Sequence, residues 1–135
     1  MTFQQAVQTC FAKYAAFNGR AARSEFWYWQ LFLAAGGLIA GIFDFGIGLH
    51  GGPLGSIFYV VTLVPTIAVG ARRLHDTGRS GWWLLLGLVP LIGLIVLLIR
   101  FCTKGSNGYN SFGPDPLPRE SNDTRHRVKT ETASV

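Results

Sequence analysis

Between Phe26 and Ala71 the only formally charged residue is Asp44, and between Gly81 and Ile99 there is none. Apolar runs of this length constrain the chain more than any motif does. A helix needs about 20 apolar residues to cross roughly 30 Å of hydrocarbon. A soluble fold would have to bury these runs, and the polar remainder of the 135 residues is too short to cover them. The sequence therefore predicts an all-α membrane protein, whose backbone polar groups are satisfied inside helices. Three transmembrane helices are expected, at about 26–43, 54–71 and 82–99. Residues 1–25 form an amphipathic helix and a basic lead, and residues 102–135 a Gly/Pro-rich and then disordered polar tail.

Phe3, Val7, Cys10, Phe11 and Tyr14 fall at helical spacing with Ala6, opposite Gln4, Gln5, Gln8 and Lys13. This one-faced helix either lies in the headgroup plane or packs on the bundle. Asn18-Gly19 turns the chain, and Ser24 is placed to cap the first span, with Glu25 in its first turn. Trp27, Tyr28 and Trp29, like Trp82 and Trp83 further on, are expected as interface aromatics. Gly36, Gly37, Ala40 and Gly41 give a small-residue face for helix packing. In the second span Pro65 predicts a kink, with Thr62 and Thr66 capping the freed carbonyls. Pro90 and Gly93 interrupt the third run. A kinked span is the favoured reading, with a re-entrant hairpin, each half of which reaches about half the bilayer, as the alternative.

The net charge is +5. In a soluble protein that would suggest nucleic acid, but here the cations sit at the ends of apolar runs and no polar domain offers a base-stacking platform, so nucleic acid is not expected as a partner. Lys13, Arg20, Arg23, Arg72, Arg73 and Arg79 lie on one side of the first two spans, with no lysine or arginine in the loop between them. The positive-inside rule makes that side cytoplasmic. A third span would carry the tail, with Arg100, Lys104 and Arg119, to the other side; a re-entrant segment would remove the conflict. Cys10 and Cys102 have no CxxC or CxxH spacing, and His50 and His126 are too scattered for a metal site, so no metal or cofactor is expected. The first apolar run is too long, and too far from the start, for a cleavable signal.

The densest chemistry is Gly70 to Trp83, where three arginines, His75, Asp76 and two tryptophans meet. Three blocks, Phe17-Asn-Gly-Arg-Ala-Ala-Arg-Ser-Glu-Phe-Trp, Arg72-Arg-Leu-His-Asp-Thr-Gly-Arg-Ser-Gly-Trp-Trp and Asn110-Ser-Phe-Gly-Pro-Asp-Pro, occur in one order. In these the chain resembles the bacterial inner-membrane family catalogued as domain of unknown function 805, over roughly Phe11 to Pro116. The resemblance implies a small multi-pass protein with a short cytoplasmic lead. It implies no agreed activity, so no catalytic residue is carried over.

Arg20, Arg23, Glu25, Arg72, Arg73, His75, Asp76 and Arg79 are the candidate site. On one account both basic segments simply start a span at the surface, each with turn glycine, arginine, capping serine and tryptophan. On the other they meet as a cluster, with Glu25 pairing one arginine while the rest grip anionic lipid phosphate. His75 beside Asp76 suggests a relay, yet Asp76-Thr-Gly is also a turn signature in which Asp76 bonds the backbone. The spans offer few polar groups for a transport path. The reading is a non-enzymatic interaction or accessory protein, contacting anionic phospholipid, a homo-oligomer or a membrane partner. A subunit of an oligomeric transporter and an enzyme using His75 and Asp76 are the alternatives.

Overall fold

The computed structural model describes residues 1–49, 52–117 and 129–134. Helix α1 spans Phe3–Ala12, α2 Arg23–Gly46 and α3 Pro53–Asp76. A 3-10 helix covers Gly81–Leu88 and α4 covers Ile92–Cys102. Among the described residues there is no strand, only an isolated bridge between Asn110 and Gly113. The disorder expected of the tail falls mainly on residues outside the described ones. Residues 129–133, also expected to be disordered, form a short helical turn.

The α2–α3 pair is antiparallel, since Glu25 meets Arg72 and Trp29 meets Thr66 while Asp44 meets Leu54. Both helices are 24 residues long, and in their most apolar windows only 11% and 33% of residues are buried. Core helices of a soluble protein would be mostly covered; these leave their apolar surface for lipid. Gly36 and Gly37 make the close approach. A Cβ on Gly36 would lie 2.4 Å from the Phe58 ring, and one on Gly37 2.1 Å from the Tyr59 hydroxyl. The small-residue face thus serves α3 at these two glycines, while Gly41 meets nothing within 4 Å and Ala40 is half-buried.

Helix α2 starts at Arg23 with Ala22 as its cap and no side-chain bond, so Ser24 lies inside the helix rather than capping it. The entry is fixed instead by the Ala21 amide donating to the Arg72 carbonyl at 3.0 Å. Ser80 does cap, accepting from the Trp82 amide at 3.4 Å. Helix α3 ends past the expected boundary. Gly78 (φ +73°) turns the chain left-handed, the Gly78 amide donates to His75, and the Arg79 amide to Leu74. That pair of bonds is a Schellman closure, and it leaves the Asp76 carboxylate free for other partners.

Pro65 removes the amide that would have bonded the Val61 carbonyl. The Tyr14 hydroxyl donates to that carbonyl. Thr62 and Thr66, expected to cap the break, donate instead to the Phe58 carbonyl at 2.8 Å and the Thr62 carbonyl at 2.6 Å. Helix α1 therefore packs on the bundle. Ala6 and Cys10 are buried, Thr2 and Gln5 form a capping box, and Phe11 sits edge-on to Trp29 and Phe32.

The third apolar run is the hairpin, not a span. It begins with Gly81 against Ala71 and Leu84 against Gly70. It returns with Phe101 on Phe26, ring centroids 4.3 Å apart. Both ends therefore lie at the end of the bundle that carries the arginines. At about 2.0 Å per residue for the 3-10 arm and 1.5 Å for α4, each arm reaches roughly 16 Å, half a bilayer. At the tip the Ile92 amide donates to Pro90 at 2.8 Å across Leu91, whose φ of 64° and ψ of −67° are those of the rare positive-φ γ-turn. Gly93 permits the reversal, because a Cβ there would overlap the Leu86 carbonyl oxygen at 1.6 Å.

Candidate functional site: the arginine end of the bundle

At this end the three sequence blocks close on one another. Asp76 takes two guanidinium groups: Arg20 reaches its Oδ1 from Nε at 2.9 Å and from Nη2 at 2.8 Å, and Arg73 pairs with its Oδ2. Arg72 pairs with Glu25. Arg72 and Arg73 are fully buried, and Arg20, Glu25 and Asp76 nearly so. Burying charge is tolerated only when it is paired and hydrogen-bonded. Here the surplus N–H groups of the arginines are spent largely on backbone.

That backbone is the segment leaving α4. Arg73 donates to the carbonyls of Phe101 at 3.2 Å and Thr103, and to Ala21 at 3.5 Å. Arg20 donates to Ser106, Gly108 and, at 3.3 Å, Gly113. The Asp76 carbonyl accepts from the Ser106 amide and hydroxyl, and the His75 carbonyl from the Asn110 side chain at 2.9 Å. Gly105 is pressed so close that a Cβ would lie 1.9 Å from the Asp76 carboxylate. A chain without helix or sheet must find other partners for its carbonyls, and a guanidinium offers five donors in a fixed fork.

Arg72 is the least satisfied member. Its Nε and Nη2 are buried without a hydrogen-bond partner among the described residues. Beside it the Cys10 thiol lies 3.9 Å from Glu25. Burial, and then the Glu25 charge, push that thiol from the ordinary 9.0 up to about 12, so it stays protonated.

His75 and Asp76 turn to different partners. The Gly19 carbonyl can only accept, so at 2.9 Å it fixes the proton on His75 Nδ1. The ring stacks on Phe112, 4.2 Å between centroids and 1° from parallel. Tyr109, in the same segment, is exposed. Of the eight candidate residues the structure gathers Arg20, Glu25, Arg72, Arg73 and Asp76 into the knot, with His75 at its edge. It leaves Arg23 and Arg79 exposed. Arg20, Arg72 and Arg73 are turned inward and buried. Among the aromatics, Trp27 and Trp82 are exposed and Tyr28 half-buried. Trp29, expected at the interface, is buried and donates to Thr66 at 3.0 Å. Arg79 and Arg100 both lie over Trp83, at 5.0 and 5.6 Å from the ring centroid.

Sequence reasoning missed the acceptors at Phe101 to Gly113 because carbonyls carry no residue signature. The glycines at 105, 108 and 113 were the only trace. It also missed Asp44, buried at the opposite end, which accepts from the Leu54 amide at 3.2 Å and the Gly55 amide at 3.1 Å and so caps α3.

The knot joins the same three blocks on which the family resemblance rests. The sequence pattern of the family described as "Protein of unknown function (DUF805)" matches residues 14–114. The chain belongs to that family. It is 45% identical over 103 residues to the Escherichia coli K12 protein named Inner membrane protein YhaI, covering 76% of this chain and 87% of that one. It is 40% identical over 107 residues to Inner membrane protein YhaH of the same strain, covering 76% and 88%. It is 32% identical over 126 residues to the protein YiiR, also of that strain, covering 74% and 85%. No solved structure matches.

Proposed function

We propose that the chain is a small accessory protein of the bacterial inner membrane, with its arginine end at the cytoplasmic surface, where it meets anionic lipid or a membrane partner. The observation that carries this reading is the division of charge at that end. Glu25 and Asp76 are both consumed by Arg20, Arg72 and Arg73. Arg23, Arg79, Arg100 and Lys104 have no carboxylate partner among the described residues, and all but the half-buried Arg100 are exposed. A platform whose two buried carboxylates are already taken up thus presents a rim of cations, the arrangement that draws anionic headgroups and sits on the inside by the positive-inside rule. Non-enzymatic action is supported by His75 and Asp76 each being engaged in holding the fold.

The test is extraction of the full chain into native nanodiscs. The combined Arg23→Ala, Arg79→Ala and Lys104→Ala variant is expected to lose enrichment of anionic lipid, or a co-purifying membrane protein, while remaining folded. Unchanged lipid and protein content would refute the reading.

A further inference from the structure

A groove of about 420 Å³ lies between α3, the 3-10 helix and the Phe17-Asn18 turn, open to the outside rather than sealed. Its composition changes along its length. Ile67, Leu84 and Leu85 line an apolar floor, and His75, Asn18 and Ser80 gather toward the arginine end. The His75 ring is held by Phe112 and its Nδ1 proton is committed to Gly19, so in the neutral ring Nε2 is left as an acceptor. That nitrogen faces Gly81, where a Cβ would stand 3.5 Å from it. It has no hydrogen-bond partner among the described residues. Arg79, next to Ser80 in the chain though outside the groove's lining, is exposed, with its guanidinium 5.0 Å from the centroid of the Trp83 ring.

We propose that this groove holds one phospholipid whose headgroup carries a hydroxyl beside its phosphate. Its acyl chain runs along Ile67, Leu84 and Leu85, and its headgroup meets His75, Asn18, Ser80 and Arg79. The inference rests on placing this end at headgroup depth, as the proposed function does. An apolar floor leading to a polar mouth fits an amphiphile. Asn18 and Ser80 at the mouth, with the Arg79 cation beside them in the chain, complement a phosphate, and Nε2 of the neutral ring accepts from a donor, which a hydroxyl supplies and a quaternary ammonium does not. The depth agrees too: the floor lies along the hairpin arm that enters the membrane.

Native mass spectrometry of the detergent-solubilised full chain, loaded with phosphatidylglycerol or phosphatidylcholine, tests the site. The wild type is expected to keep one phosphatidylglycerol per chain and to release phosphatidylcholine. Leu85→Trp and Ile67→Trp, which fill the floor from half-open positions, are expected to weaken retention about tenfold. Leu88→Trp, at an exposed position that does not line the groove, is expected to leave it unchanged. Asn18→Ala narrows the preference between the two lipids. As an independent readout, phosphatidylglycerol with brominated chains quenches the fluorescence lost in Trp82→Phe, and brominated phosphatidylcholine does not. Equal retention of both lipids by the wild type, or full retention by both filled variants, overturns the proposal. The Arg23→Ala variant separates the two readings, since it lowers general anionic enrichment and spares the single bound lipid.

Discussion

Asp76 and Asp44 are equally hidden, each 3% exposed, yet they stand at opposite ends of the bundle and do different work. Asp44 meets no cation among the described residues. It accepts two backbone amides at the start of α3, where the helix dipole favours a negative charge. Asp76 meets two arginines, which in turn hold the carbonyls of the segment after α4. At the Asp44 end both helices stop and a short loop joins them, so a cap suffices. At the Asp76 end six chain segments converge, and two of them, before α2 and after α4, are neither helix nor sheet. The difference teaches that the arginines here are construction material for irregular backbone, and only their unburied relatives are free for contact.

The comparison breaks most sharply at Asp76. Asp76→Asn leaves Arg20 and Arg73 buried with a neutral partner, and losing one member of a buried charged set costs about 3–5 kcal/mol. Unfolding in detergent should show a loss of that size, with proteolysis opening near Gly105. A smaller effect is expected at Tyr14. Tyr14→Phe strands the Val61 carbonyl at the Pro65 break, costing about 1–3 kcal/mol. The same change in a Pro65→Ala background should be nearly neutral, because the restored amide takes over; equal losses in both backgrounds would remove Tyr14 from this role. Asp44→Ala removes a helix cap, worth about 1 kcal/mol, and hydrogen exchange should rise at Leu54 and Gly55 while the arginine end stays protected. At neutral pH the smallest effect is at Cys10. With its thiol raised above 9.0, folded and unfolded chains both hold it neutral below that pH. Its contribution to stability should be lost only as pH rises from 9.0 toward about 12, so the fall over that window should be smaller in Cys10→Ala.

How much of this was legible depended on whether a feature had a side-chain signature. The two spans were readable because charge is absent for their whole length. The Gly78 turn and the pairing of Glu25 with an arginine were readable from residue type. The boundaries of α2 and α3 were not, since the helices run beyond the apolar stretches to Arg23 and Asp76 and so carry Glu25, Arg72, Arg73 and Asp76 into ion pairs. Lipid solvates a hairpin arm and a spanning half equally well, so the apolar content of Trp82 to Ile99 did not choose between them. Gly93 and Leu91 decided it through backbone geometry, which composition does not report. Trp29 was misplaced because a belt tryptophan and a buried one bonded to Thr66 look alike in sequence.

The account turns on the hairpin, which puts the start of the chain and the end of α4 on one side of the membrane. Cys102 is exposed and Cys10 buried, so sidedness can be read with a membrane-impermeant thiol reagent. In a Cys10→Ser background, Cys102 and a second thiol introduced by Gln4→Cys are compared in sealed inverted and right-side-out vesicles. The account predicts that both label in the same vesicles and neither in the other. Labelling of Cys102 from the face opposite residue 4 would contradict it, and would make the third apolar run a true span.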